Sequence, residues 1–133
     1  MNAPVFLTIE EVLHIHEREV ARQGGSFGVR DIHLLESALA MPESGFGQEY
    51  LHKDIFEMAA AYLFHVVMNH PFVDGNKRAG FATALVFLDI NGVRIRMSQD
   101  AAYDLVIGVC EGTVTKRQVA TVLRDNSEPL DGA

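Results

Sequence analysis

The sequence predicts an all-α fold, a compact bundle of six helices with a small flap, either a hairpin or a loop, between the second helix and the third. Apolar residues recur at helical spacing in six segments, and helix-capping residues precede five of them. One stretch, 93–96, alternates as a strand does. Because domains commonly contain roughly 100–200 residues, we expect a single domain over residues 1–133, with a core at 5–125 and a frayed polar tail at 126–133.

The boundaries of the first two helices follow from capping and stop residues. Thr8 and Glu11 form a T-x-x-E capping box, in which each side chain can accept a backbone amide hydrogen. A Gly-Gly pair ends this helix near Gln23. Asp31 can cap the second helix, and Pro42 ends it, because the residue before a proline avoids helical geometry.

A short irregular segment precedes the third helix. Residues 43–52 carry no helical stripe, so we expect an exposed loop or a small hairpin there. Asp54 then caps a helix with a wide apolar face, which predicts a central position, and this helix ends near Asn69. The fourth helix begins at about Asn76 and closes after Asn91, where the glycine that follows suits a left-handed cap.

Two shorter helices complete the predicted bundle. Ser98 caps a helix that runs to about Glu111, after which another glycine follows. Thr115 and Gln118 form a second capping box, and their helix ends near Asp125.

Charge and composition exclude several classes of protein. Asp and Glu number 18 against 11 Lys and Arg, a formal net charge of −7, so we expect no direct nucleic-acid binding, although a local basic spot could bind a small anion. The longest apolar stretch, Met58 to Met68, is far shorter than the roughly 20 residues of a membrane span. The single cysteine, Cys110, fits a reducing compartment, and the first residues lack a secretory pattern. We therefore expect a cytoplasmic protein.

The stretch between the third and fourth helices carries the most chemistry; it reads His70-Pro71-Phe72-Val73-Asp74-Gly75-Asn76-Lys77-Arg78. His70 lies just past a buried helix, and an ordinary histidine pKa of about 6.5 suits proton transfer at neutral pH. Asp74 supplies the hard oxygen ligand that Mg²⁺ prefers. Gly75 permits a left-handed turn and the close approach of a ligand to the backbone.

The second half of this stretch opens a helix. Free amides and the helix dipole at a helix start favour an anion, and Lys77 and Arg78 add positive charge beside Asn76. Phosphoryl transfer needs mainly positioning and charge stabilisation, which such a set supplies. The plain alternative is a solvated turn with a capped helix and a stray basic pair. The nine residues together favour a site.

This stretch resembles the active-site loop of the Fic/Doc family, whose Fic pattern reads H-P-F-x-[D/E]-G-N-G-R-x-x-R. Lys77 stands in place of the second glycine and Phe81 in place of the final arginine. Both departures are similar to the Doc branch, the death-on-curing toxins of toxin–antitoxin pairs. The resemblance covers roughly residues 5–125 and includes the closing stretch 87–92, Phe-Leu-Asp-Ile-Asn-Gly.

The resemblance implies a reaction and roles for the loop residues. Fic enzymes transfer AMP from ATP to a protein hydroxyl, whereas Doc transfers the γ-phosphate of ATP to a threonine of elongation factor Tu and arrests translation. By position, His70 would be the general base and Asp74 would hold Mg²⁺. The residues that would bind the nucleotide and its phosphates are Gly75, Asn76, Lys77 and Arg78.

The same resemblance implies partners and leaves alternatives open. The family's partner is a small antitoxin whose disordered tail folds on the toxin. The 43–52 segment occupies the place of the family's flap, where Phe46 and Tyr50 could hold the target segment by strand addition. An inert surface loop is equally open. AMP transfer to a protein hydroxyl is the alternative reaction, and a non-catalytic helical binding module is the alternative class.

Histidines outside the loop carry weaker signals. His14 and His16 are two residues apart and point to different sides of a helix, so they cannot share a metal, and we expect one exposed and one partly buried ring. His65 or Asn69 could support the loop from below, although an ordinary core position is favoured for each.

Overall fold

The computed structural model describes residues 3–130, and six α-helices account for most of them. Their bounds are α1 Ile9–Gln23, α2 Ile32–Ala40, α3 Ile55–Asn69, α4 Asn76–Ile90, α5 Gln99–Glu111 and α6 Lys116–Asp125. The remaining elements are four strands of two or three residues each. The predicted all-α fold is confirmed. The expectations for residues 1–2 and 131–133 lie outside the described part of the chain.

The predicted caps form the hydrogen bonds that their sequence patterns indicate. Thr8 and Thr115 each accept the amide of the third helical residue, and both capping boxes close. The Asp31 carboxylate accepts two amides at the start of α2, at 3.0 and 3.1 Å. Ser98 caps α5 through the amide of Ala101 at 3.1 Å. Local side-chain chemistry therefore sets where these helices begin.

Helix α3 is the centre of the bundle, with contacts to α2, α4, α5 and α6. Its middle, Ala59–Leu63, is fully buried. Helix α4 lies close against it at Gly80, where an added Cβ would lie 2.8 Å from Cγ2 of Val67 and 3.2 Å from the carbonyl oxygen of Leu63. This close packing holds both ends of the connection between α3 and α4.

The segment before α1 is attached to the two central helices. The amide of Leu7 donates to the buried Tyr62 hydroxyl at 3.0 Å, and burial raises the pKa of Tyr62 to about 12. The ring of Phe6 stacks on Phe87 of α4 at 5.8 Å between centroids. Asn91, which follows α4, accepts the amide of Val5 and donates to its carbonyl.

The segment between α2 and α3 is a hairpin rather than an irregular loop. Strand β1, Gly45–Phe46, pairs antiparallel with β2, Glu49–Tyr50. Phe46 is 94% exposed at the tip, whereas the ring of Tyr50 contacts Phe6 edge-on at 5.6 Å. The hairpin is therefore fixed at its base and presents an apolar side chain to solvent.

The prediction of a frayed tail from residue 126 is wrong for the residues that the structure describes. Strand β3, Val93–Ile95, pairs antiparallel with β4, Ser127–Pro129. The amide of Arg96 donates to the carbonyl of Asn126 at 2.8 Å, and its guanidinium pairs with Glu128. The polar composition of the tail suggested fraying, but its backbone satisfies the otherwise open edge of β3.

Within residues 3–130, none of the helices combines the length and the apolar character that crossing a membrane requires.

One contact between α3 and α6 predicts a pH dependence of stability. Nζ of Lys116 donates to Nε2 of His65 at 3.1 Å, which requires that ring nitrogen to be unprotonated. Burial, followed by the charge of Lys116 and the neighbouring His52, lowers the pKa of His65 from 6.5 to about 4. The unfolded chain therefore binds a proton at a higher pH than the folded chain does, and stability falls as the pH falls from 6.5 to 4.

In His65→Gln, the amide oxygen of the glutamine can still accept a hydrogen bond from Lys116, but it does not bind a proton in this pH range. We therefore expect the fall in unfolding free energy between pH 7 and pH 4 to be about 1–2 kcal/mol smaller in this variant than in wild type. Urea unfolding at pH 7, 6, 5 and 4 measures it. The matched control is His33→Gln, since His33 lies on the surface in a solvent-exposed pair with Glu36. Equal pH slopes for His65→Gln and wild type would contradict the assignment.

Candidate active site

His70 caps the carboxyl end of α3 in a left-handed conformation, with φ 52° and ψ 53°. Among residues 3–130 it is the one non-glycine residue with positive φ. Its amide still donates to the carbonyl of Val66 at 3.2 Å, and the residue is exposed. A left-handed backbone is disfavoured for a residue with a Cβ, so the surrounding contacts must hold this turn in place.

A short segment, residues 28–31, holds the loop from one side; we call it the clamp segment. The amides of Arg30 and Asp31 donate to the carbonyl of Pro71 at 2.7 and 3.0 Å. The amide of Val73 donates back to Gly28 at 3.0 Å, and Val29 forms an antiparallel bridge with Phe72. The clamp segment therefore pairs with the loop as a strand pairs with its neighbour.

The side chain of Asn76 folds the loop back on itself. Its Oδ1 accepts the amide of Phe72 at 2.9 Å, and its Nδ2 donates to the carbonyl of Phe72 at 3.0 Å. Asn76 is 4% exposed and Phe72 is fully buried. The sequence predicted that Asn76 binds phosphate. Its side-chain amide instead bonds to the backbone of Phe72, so its backbone amide at the start of α4 is the group that could bind phosphate.

His16 of α1 supports the same loop and was missed as a site residue. Its ring stacks on Phe72, nearly parallel, with centroids 3.8 Å apart. Its Nε2 lies 2.7 Å from the carbonyl oxygen of Asp74, so this nitrogen must carry a hydrogen to donate. His14 is exposed, as expected, but His16 is fully rather than partly buried. Its place on the apolar face of α1 was the available signal.

Asp74 presents a charged carboxylate at the loop surface. Its oxygens accept the amides of Ser26 at 3.1 Å and of Gly75 at 2.8 Å. These two hydrogen bonds, with smaller contributions from Arg78 and His16, hold the pKa of Asp74 below its ordinary value. The carboxylate is therefore ionised at neutral pH, as a ligand for a hard cation must be.

Positive charge collects beside this carboxylate at the start of α4. Gly75, with φ 77°, precedes α4 and provides no side-chain cap, so the first amides of the helix are not capped by a side chain. Lys77 is exposed, and Arg78 is half-buried. A Cβ added at Gly25 would lie 2.7 Å from Oδ2 of Asp74 and 3.0 Å from a guanidinium nitrogen of Arg78, so both groups converge on this glycine.

The residues fit the binding of Mg²⁺ together with a phosphorylated ligand rather than an all-protein metal site. In the described residues no group of three or more His, Cys, Asp or Glu side chains is placed to hold a metal. Mg²⁺ is commonly bound by one or two carboxylates plus substrate phosphates. Asp74 can supply the carboxylate, and the start of α4 can bind the phosphates.

The remaining predicted residues lie outside the loop. Tyr50 contacts Phe6, which stacks on Phe87, eleven residues or about 16 Å beyond the start of α4. Asn69 donates to the carbonyl of Leu34 at 3.0 Å and so ties the end of α3 to α2 directly below the loop. His65 bonds instead to Lys116 of α6.

Comparisons with known proteins show which family this chain resembles. A sequence profile of the Fic/DOC family matches residues 6–88. The chain is 34% identical over 115 residues to the protein kinase doc of Escherichia phage P1, covering 86% of this chain and 90% of that protein. It is 40% identical over 85 residues to the toxin Doc of Mycolicibacterium smegmatis, covering 62% of this chain and 65% of that protein.

The profile spans more than half of the chain, and the phage relative aligns over nearly its whole length. The chain therefore belongs to the Fic/DOC family. Both relatives carry the name Doc, which confirms the resemblance to the Doc branch.

Asn76→Ala should destabilise the fold as a whole. The substitution leaves the buried amide and carbonyl of Phe72 without partners, which costs about 2–4 kcal/mol of unfolding free energy. Urea denaturation measures this loss. Lys77→Ala is the matched control, because Lys77 is its exposed neighbour, and it should change stability by no more than about 0.5 kcal/mol. Equal stabilities for the two variants would show that Asn76 does not hold the loop.

Proposed function

We propose that this protein is a Doc-type toxin with protein kinase activity, which transfers the γ-phosphoryl group of ATP to a hydroxyl of a target protein. The observation that carries the proposal is the loop between α3 and α4. It brings an exposed histidine, an ionised carboxylate and the positive start of a helix into one short turn. The relative from phage P1 is named a protein kinase, which supports the same reaction class.

The reaction needs one proton acceptor and one phosphate-binding surface. The hydroxyl oxygen forms a bond to the γ-phosphorus, the bond from that phosphorus to the bridging oxygen breaks, and ADP leaves. The exposed imidazole of His70 takes the hydroxyl proton. Because the clamp segment holds the loop backbone on both sides of Phe72, the imidazole acts from a fixed turn.

The other loop residues bind and neutralise the nucleotide. The free amides at the start of α4, with Lys77 and Arg78, bind the phosphates, and Gly75 allows their close approach. Asp74 would hold Mg²⁺, which would neutralise part of the charge that develops during transfer.

The choice of γ-phosphoryl over AMP transfer rests on two positions. Lys77 adds bulk and charge where the Fic pattern has a glycine, so the triphosphate binds differently. Phe81, at the position of the final Fic arginine, packs its ring against the core and offers no phosphate contact. Both features favour a changed leaving group.

The target and the partners follow from the family resemblance. We propose that the acceptor is a threonine of a translation factor, with elongation factor Tu as the first candidate, and that its modification arrests translation in the cytoplasm. A small antitoxin whose disordered tail folds on this protein would restrain it.

Labelled ATP tests the reaction. With Mg²⁺ and a bacterial extract, γ-labelled ATP should label one acceptor protein, and adenine-labelled ATP should label none. His70→Ala should lower the rate of transfer about 100- to 10,000-fold, the range in which general-base catalysis contributes. Mass spectrometry of the labelled protein identifies the modified residue.

The other labelling outcomes are equally informative. Adenine label on the acceptor would establish AMP transfer instead. No label, together with no binding of ATP and Mg²⁺, would leave a non-catalytic helical module. Full activity of a folded His70→Ala variant would remove His70 as the base.

The flap hairpin, β1 and β2, is proposed to hold the target segment. Phe46 is 94% exposed at its tip, and Tyr50 is fixed at its base, so an extended segment could pair along the hairpin. An interface aromatic of this kind commonly contributes enough to change affinity about tenfold on truncation.

Phe46→Ser should therefore raise the KM for the acceptor protein about tenfold while the KM for ATP stays within about twofold. Steady-state kinetics with each substrate varied in turn measures both constants. Val5→Ser is the control, because Val5 is also exposed and apolar but lies in the segment before α1. Unchanged kinetics in Phe46→Ser would favour an inert hairpin.

A further inference from the structure

We propose that Arg30 is a positioning residue for His70, an inference that rests on the proposed function. Its Nε donates to the carbonyl of His70 at 2.7 Å, and a terminal guanidinium nitrogen donates to the carbonyl of Asn69 at 3.2 Å. These carbonyls lie at the carboxyl end of α3, where the helix leaves acceptors unpaired and its dipole is negative. A guanidinium suits this place because it donates two hydrogen bonds from a planar, charged group.

Arg30 is itself anchored to the loop that it holds. Its backbone amide donates to Pro71 at 2.7 Å, and Asp31 donates to the same oxygen at 3.0 Å. The side chain then reaches back to the residue before Pro71. Backbone and side chain of one residue therefore fix two successive peptide groups of the loop.

These contacts act on the torsions that determine where the imidazole lies. The amide of His70 is bound to Val66, and its carbonyl is bound to Arg30. With both peptide groups held, the left-handed φ and ψ are maintained, and the freedom that remains to His70 is in its side chain. A displacement of about 1 Å in a catalytic group costs a factor on the order of 100 in rate.

The nucleotide side of the loop has separate supports. Asn76 bonds to both backbone groups of Phe72, and His16 bonds to the carbonyl of Asp74. Loss of the Arg30 guanidinium should therefore disturb the base without disturbing the phosphate-binding residues. This separation predicts a change in kcat with little change in the KM for ATP.

The experiment compares Arg30→Met, Arg30→Lys and wild type with γ-labelled ATP, Mg²⁺ and the acceptor protein identified by labelling. Arg30→Met should lower kcat about 10- to 100-fold, with the KM for ATP within about twofold of wild type. Arg30→Lys, which can reach one carbonyl with its ammonium, should recover part of the loss. The matched control Arg94→Met removes an exposed arginine on β3, beyond the far end of α4, and should behave as wild type.

A second measurement is independent of activity. Hydrogen exchange at the amide of His70 should quicken about tenfold in Arg30→Met, while exchange at Phe72 should stay as in wild type, because the bonds from Asn76 remain. Wild-type kcat with unchanged exchange at His70 would overturn the inference. A rise in the KM for the acceptor protein with unchanged kcat would overturn it too, because Arg30 would then bind the target directly.

The outcomes also separate this inference from the proposed kinase activity. If wild type labels no protein, the kinase proposal fails, and exchange at His70 still decides whether Arg30 holds that turn. If wild type is active and Arg30→Met is equally active, the kinase proposal stands and the positioning role fails. If Arg30→Met does not fold, the kcat of Arg30→Lys is compared with that of Arg94→Met. A lower kcat in Arg30→Lys supports the positioning role, and equal values overturn it.

Discussion

The two hydrogen bonds between the Asn76 side chain and the backbone of Phe72 are the constraint on which the loop depends. They close a tight turn whose centre is the fully buried ring of Phe72, so the turn cannot move without exposing the core. On one side of this turn the chain leaves α3 through His70, and on the other it enters α4. The buried turn therefore fixes the positions of the imidazole, the carboxylate and the helix start relative to one another.

Much of the fold could be predicted from the sequence because its helices begin at recognisable capping residues. Thr8, Asp31, Ser98 and Thr115 are followed by apolar residues at helical spacing, and each helix starts where its cap indicates. The pairing of β3 with Ser127–Pro129 was missed because it joins residues more than thirty positions apart. Its partner is a polar stretch whose side chains give no strand pattern. Backbone pairing between such distant residues produces no recognisable pattern in the local sequence.

The candidate site was likewise predictable only in part. The residues from His70 to Arg78 could be found because their types and order are contiguous. The residues that support them come from elsewhere: His16 from α1, and Ser26 and Arg30 from the segment between α1 and α2. An exposed arginine in a connecting segment, or a histidine on an apolar helix face, has many ordinary explanations in a sequence. The partner that decides between those explanations is visible only when the chain is folded.

The left-handed backbone at His70 has a consequence for the engineering of this protein. Glycine adopts such a conformation freely, whereas for a residue with a Cβ it costs about 1–2 kcal/mol of stability. A redesign that ranks substitutions by thermal robustness would therefore favour glycine at position 70, and the more robust protein would lack its imidazole.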